Sequence, residues 1–195
     1  MVEADGADWV KALPAHREPV LEHVAVHQAG GVTVRPLPPK ARWSLRLGPG
    51  VAEAVGAVAG LSLAGAVNSY AAAGDRLAAR LGPDEWLVIA PDADAAEVAA
   101  ALGEALAGHL HALVDVGHRD VGIGVEGAKA EVALNAGVAL DLDLRAFPVG
   151  MATRTLFGKA DIVLFRLGRD AWRVECWRSF APYVHGLLVE ATFGV

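Results

Sequence analysis

Gly122-Ile-Gly-Val-Glu-Gly127 spells GxGxxG between a strand-like stretch and a helix-like one. In a dinucleotide site such glycines let the backbone approach a pyrophosphate at a helix N-terminus, and an acid about 20 residues on binds the ribose. Asp141 and Asp143 stand near that distance. A dinucleotide fold also needs parallel βαβ units, whereas the pattern here is one of hairpins. The simpler reading is that Gly122, Gly124 and Gly127 let a helix pack close against a sheet.

The other reactive residues form no common site. Seven histidines are present. His109 and His111 would share one strand face, and His23 and His27 are spaced as on a helix. The segment E-H-V-A-V-H alternates like a strand, however, and no H-E-x-x-H occurs. Zinc needs three or four converging ligands, so ordinary histidines are favoured. Asp115, His118 and Arg119 are neighbours, but Ser44, Ser62, Ser69 and Ser179 lie in no G-x-S-x-G elbow. Asp115 to Arg119 reads as a strand end closed by a polar turn. The single cysteine, Cys176, rules out an internal disulfide and sits in a strand pattern, where a quiet core thiol is expected.

The elements that would position these residues come in two copies. R-L-G-P-D-E-W-L-V at Arg80–Val88 returns as R-L-G-R-D-A-W-R-V at Arg166–Val174, with six of nine positions identical at a shift of 86. Upstream, Gly50, Val55, Ala59, Gly60 and Leu63 recur as Gly127, Val132, Ala136, Gly137 and Leu140 at a shift of 77. The order is kept, and the nine-residue difference matches an insertion around Asp141 to Val149. One unit used twice fixes the architecture before any motif does.

Each unit reads β-α-β-β-α. Trp43–Leu47, Asp75–Leu81 and Glu85–Ala90 are strands of the first, with a tight turn at Gly82-Pro83-Asp84. Asp94 and Glu97 form a capping pattern for a helix with the stripe Val98, Leu102, Ala105 and Leu106. Leu110–Val116 links the halves. The second unit runs from Val121–Val125 through a helix at Ala128–Ala136, strands near Thr153–Phe157, Asp161–Arg166 and Trp172–Trp177, and a last helix from Ser179. Trp86 and Trp172 are expected to seal each sheet against its helix. The predicted class is α+β: two pseudo-repeated units, mostly antiparallel sheets, helices on one face. Residues 1–40 read as an N-terminal arm with a short helix near Asp8–Leu13, 41–116 as the first unit and 117–195 as the second, together one body.

Composition narrows the function. The 195 residues are 54% hydrophobic and 21% charged, with net charge −6, which supports a core and excludes broad binding to nucleic acid. Ala54–Gly74 lacks charge, but its glycines and small residues argue against a membrane span. No secretion pattern opens the chain, so a cytoplasmic location is expected. The loop Asp141–Gly150 mixes Leu142, Leu144 and Phe147 with charges. These apolar groups either fold onto their own core or dock another chain.

An ordered set of motifs then resembles a known family. L-G-P-D-E-W-L at Leu81–Leu87, V-D-V at Val114–Val116, Leu140-Asp141-Leu142, R-A-F-P at Arg145–Pro148, Gly150, T-L-F-G-K-A at Thr155–Ala160, and R-S-F with Tyr183 all stand in its order. Ala15-His16 is similar to its N-terminal signature. The family is the gamma subunit of heterotetrameric sarcosine oxidase. Gly117 stands where the family commonly has Ser, and Val138-Ala139 where it often has Cys-Pro.

The resemblance implies a fold like the folate-binding aminomethyltransferases of glycine cleavage, and a noncatalytic structural subunit. Sarcosine would be oxidatively demethylated to glycine, with tetrahydrofolate as one-carbon acceptor. FAD, FMN, NAD, tetrahydrofolate and zinc would be held by alpha, beta and delta partner subunits, and none by this chain. Arg145, Phe147, Arg178 and Tyr183 are the expected interface residues. The alternative is a free-standing tetrahydrofolate-dependent transferase or folate-binding protein of the same fold, with Asp115 and Asp141 as folate contacts.

Overall fold

The computed structural model describes residues 18–195, so the helix expected near Asp8–Leu13 and the Ala15-His16 signature lie outside the described residues. The strands are β1 (His27–Ala29), β2 (Val32–Pro36), β3 (Lys40–Leu47), β4 (Ala57–Val58), β5 (Leu61–Ser62), β6 (Ser69–Ala73), β7 (Arg76–Arg80) and β8 (Glu85–Pro91). They continue as β9 (His111–Asp115), β10 (Asp120–Glu126), β11 (Ala152–Phe157), β12 (Ala160–Gly168) and β13 (Ala171–Trp177). The helices are α1 (Val51–Val55), α2 (Ala95–Ala105), α3 (Ala130–Asn135) and α4 (Ala181–Ala191).

Two antiparallel sheets carry the repeat. The first has the order β6-β7-β8-β3-β9 and the second β1-β2-β10-β13-β12-β11. Matching the hairpins β7–β8 and β12–β13 sets β3 against β10 and β9 against β2. Strand alternation then gives each sheet an outer and an inner face. Trp86, Val88 and Ala90 of β8 join α1 and α2 in one core. Trp172, Val174 and Cys176 of β13 join α3 and α4 in another. Leu77, Ala79, Leu87, Ile89 and Val116 of the first half meet Ala152 and Phe165 of the second in a third core between the sheets. Both tryptophans seal sheet against helix, as their positions after the turns predict, at 2% and 1% exposure.

The sheets are also joined at one edge. Ala152 N–H donates to Asn68 O (3.1 Å), and Tyr70 N–H to Gly150 O (3.0 Å). Asn68 adopts φ 64°, a conformation its short polar side chain tolerates.

Two local expectations change, those for the arm and for the α2 cap. The supposed arm contributes the β1–β2 hairpin to the second sheet, with β2 paired antiparallel to β10. Val32 and Val34 are buried in the second core, and Gly30 and Gly31, at φ 59° and 77°, make the two-residue turn. In the Ala54–Gly74 stretch, the helix stops at Val55 and a miniature β4–β5 hairpin follows. Asp94 and Glu97 do not cap α2 through their side chains. They hold Arg76 instead, at 2.8 and 3.0 Å. Among the described residues, no helix is long and apolar enough to cross a membrane.

Candidate functional site

The strongest repeated device is an arginine laid over a tryptophan. Arg80 and Trp86 are opposite partners across β7–β8, and Arg166 and Trp172 across β12–β13. The guanidinium carbons stand 4.8 and 4.5 Å from the ring centroids. Such cation–π contacts strengthen when desolvated. One Nη2 donates to Pro83 O (2.9 Å) and its counterpart to Arg169 O (2.8 Å), so the turn carbonyl recurs at the same shift of 86. Each arginine also pairs with a helix glutamate, Arg80 with Glu53 at 3.6 Å and Arg166 with Glu131 at 3.0 Å. The residues that echo in the sequence therefore build a structural clamp.

The insertion closes the second clamp. Arg166 Nη1 donates to Leu142 O (2.8 Å) and Phe147 O (2.9 Å). The Phe147 ring packs 5.4 Å from Trp172. Of the apolar loop residues, Leu142 and Phe147 are buried and Leu144 is exposed. The loop thus folds mainly onto its own core. Phe147, expected at an interface, is 1% exposed and offers no surface.

A cavity of about 370 Å³ opens between the sheets. Ser44, Arg46, Glu85, Arg119, Asp120, Arg154 and Asp161 line it, with Glu175, Cys176 and Trp177. Its charges are mostly spent on one another. Arg46 reaches Glu85 at 3.3 Å, Arg154 also reaches Glu85, and Arg119 holds Asp120 at 3.0 Å. At its inner wall Glu175 takes Arg42 Nε at 2.7 Å and Nη2 at 3.3 Å, which bolts β13 to β3. Arg173 Nε donates to the same carboxylate, while its Nη2 lies at ion-pair distance without hydrogen-bond geometry. Burial pushes the Glu175 carboxyl up, but Arg173 and Arg42 outweigh it and hold the pKa below the usual value.

The remaining sequence candidates fall apart from one another. Gly122 makes room for the bolt: a Cβ there would lie 2.9 Å from both Arg173 Nη2 and Glu175 Oε1. At Gly124 a Cβ would meet Leu37 and Arg35, and at Gly127 (φ 125°) it would strike Gly31 O at 2.1 Å. β10 pairs antiparallel on both sides, so the glycines serve packing. Asp115 Oδ1 accepts Gly117 N–H and Asp141 Oδ1 accepts Asp143 N–H, both at the surface. Neither lines the cavity between the sheets.

His27 bonds Thr192 at 2.9 Å, and His111 bonds the His109 carbonyl at 2.9 Å. Among the described residues, no group of three or more His, Cys, Asp or Glu could hold a metal ion. Burial pushes the Cys176 thiol up to about 12, so it remains protonated at neutral pH.

Of the other interface expectations, Arg145 is exposed and pairs with Asp143 at 2.9 Å. Tyr183 is exposed and its hydroxyl accepts Lys159 N–H at 3.2 Å. Arg178 holds Glu18 O and lines a groove of about 630 Å³ with Val20, Trp177 and Pro182.

The duplicated antiparallel sheets with helices outside define an aminomethyltransferase-type fold. The glycine cleavage aminomethyltransferase T from Bartonella henselae superposes with TM-score 0.64 at 12% identity, over 82% of this chain and 45% of that one. A more specific match follows. The Sarcosine oxidase, gamma subunit family matches residues 46–193, and the chain belongs to that family. The gamma subunit from Arthrobacter sp. is 31% identical over 192 residues, covering 93% of this chain and 92% of that protein. That from Corynebacterium sp. (strain P-1) is 31% identical over 145 residues, 74% of this chain but only 65% of the relative's length. A chain of heterotetrameric sarcosine oxidase from Corynebacterium sp. U-96 superposes with TM-score 0.82 at 26% identity, covering 91% of this chain and 95% of that one.

Proposed function

We propose that the chain is a noncatalytic, structural subunit of a sarcosine oxidase-like multi-subunit flavoenzyme. The observation that carries this reading is the likeness, along nearly the full chain, to a component of a heterotetrameric sarcosine oxidase. The interior supports it: most charged residues between the sheets are engaged in ion pairs, of which Arg42–Glu175 and Arg154–Glu85 join the halves, and the repeated motif builds clamps. Its companions are alpha, beta and delta subunits, which hold FAD, FMN, NAD, tetrahydrofolate and zinc and carry out the oxidation in the cytoplasm. Residues 41–116 and 117–195 act as two units, with the β1–β2 hairpin belonging to the second. Arg145, Arg178 and Tyr183 belong to the surface that meets the companions.

Co-expression with the three companions tests this. A tagged chain is expected to retain all of them through purification, and to show no sarcosine oxidation alone. Repeated failure to join them would end the reading.

A further inference from the structure

The repeat exposes a difference between corresponding edges. β9 beside β3 occupies the place that β2 holds beside β10. The outer edge of β2 is covered by β1, in the register His27–Val34 to Ala29–Val32. Beyond β9 no strand follows among the described residues. Gly48 N–H donates to Leu110 O and Val116 N–H to Arg42 O, both at 2.8 Å. The even-numbered residues of this stretch therefore bond β3. His111, Leu113 and Asp115 turn their N–H and C=O groups outward.

Unpaired edges are normally blunted by Pro, Lys, a bulge or extreme shortness. Leu110–Val116 contains no Pro or Lys, its one formal charge is Asp115 at the end of the strand, and its register against β3 is unbroken. Leu110 and Val114 are 77% and 54% exposed. By contrast β1, the corresponding outer edge, has only three residues.

We propose that β9 is a docking edge, on which an extended segment of a companion subunit adds antiparallel as a sixth strand. This rests on the assembly proposed above, which makes a companion rather than a second copy the occupant. The repeat supplies the template, since β1 does the same for the second sheet from within the chain. Backbone groups supply the bonds, and cross-strand neighbours set the chemistry. The segment carries an apolar residue opposite Leu113, which packs at the margin of the first core. It carries an acid opposite His111 and a base opposite Asp115.

Hydrogen exchange at single amides, in the co-expressed complex and in the chain alone, tests this. Assembly is expected to slow the amides of His111, Leu113 and Asp115 by about 100-fold, and those of Ala112 and Val114 by less than about tenfold. His111→Pro removes one outward donor at the first position of an edge strand, where proline is tolerated. It should weaken retention of the companions while leaving the chain's own melting temperature unchanged. A complex that forms without slowing these amides would overturn the docking edge and leave the assembly standing. Failure of the complex to form would overturn both. Self-association of the isolated chain with the same protection would overturn the companion as occupant.

Discussion

In the first half Arg42 faces Ile89 across β3 and β8, and in the second the equivalent pair is Gly122 and Glu175. The neighbouring Leu87 likewise becomes Arg173 at the shift of 86. The outer faces remain alike, each with a tryptophan under an arginine against its helices. Along β8 and β13 these differences fall on the faces that the halves turn towards each other. There, one half supplies apolar surface and the other a buried carboxylate that receives Arg42 from across the gap. A glycine opposite the carboxylate gives the charges space. The lesson is that a hairpin used twice keeps its helix-facing side and changes the side on which the copies touch.

Breaking the charged side should cost far more than trimming the apolar side. Glu175→Gln leaves two buried guanidinium groups without their counter-charge and should cost about 3–5 kcal/mol in urea unfolding. Ile89→Val at the equivalent position should cost about 1 kcal/mol. The pH dependence has a definite sign. Because the folded pKa of Glu175 is held below its ordinary 4.5, the stabilisation is complete above that value. It is lost as pH falls through the lower folded pKa. Glu175→Gln should therefore flatten the acid limb of a melting-temperature profile.

The insertion offers the next contrast. Phe147→Ala should cost about 3–4 kcal/mol by opening a cavity beside Trp172. Leu144→Ser, on the exposed side of the same loop, should stay within about 0.5 kcal/mol. Chemical denaturation of both variants checks it, and equal losses would mean the loop is not held by its buried face.

The two clamps should differ less, in the same direction. Arg166 is 2% exposed and bonds three carbonyls, whereas the Arg80 side chain is 17% exposed and bonds two. Arg166→Met should cost about 2–3 kcal/mol and Arg80→Met about 1 kcal/mol, read from denaturation midpoints. Gly122→Ala should cost about 1–2 kcal/mol, because the new methyl presses on the flexible ends of Arg173 and Glu175. The loss should largely vanish on a Glu175→Gln background if the bolt is what the glycine accommodates.

Much of this asymmetry was hidden in the sequence although the repeat was plain. R-L-G-x-D-x-W marks a hairpin, and alternation around it gives both β7–β8 and β12–β13. It does not say that Arg80 and Trp86 stack, because that needs the pairing register across the turn. The β1–β2 hairpin was obscured by Pro36, Pro38 and Pro39, and its partner β10 lies far along the chain. Gly30-Gly31 between alternating segments was the available signal. Asp94 and Glu97 matched a cap by spacing, yet Arg76 at the start of β7 claims both. The bolt was the least visible feature. Nothing local links Arg42 to Glu175, and only facing sheets bring them together.

The most direct test concerns the division of labour itself. Sarcosine oxidation and assembly should be measured for the three companion subunits with and without this chain, and for this chain alone. The structural role predicts no turnover by the isolated chain, and a fall in assembled, active complex when it is omitted. Turnover by the chain unaided, or a fully assembled and fully active complex without it, would contradict that role.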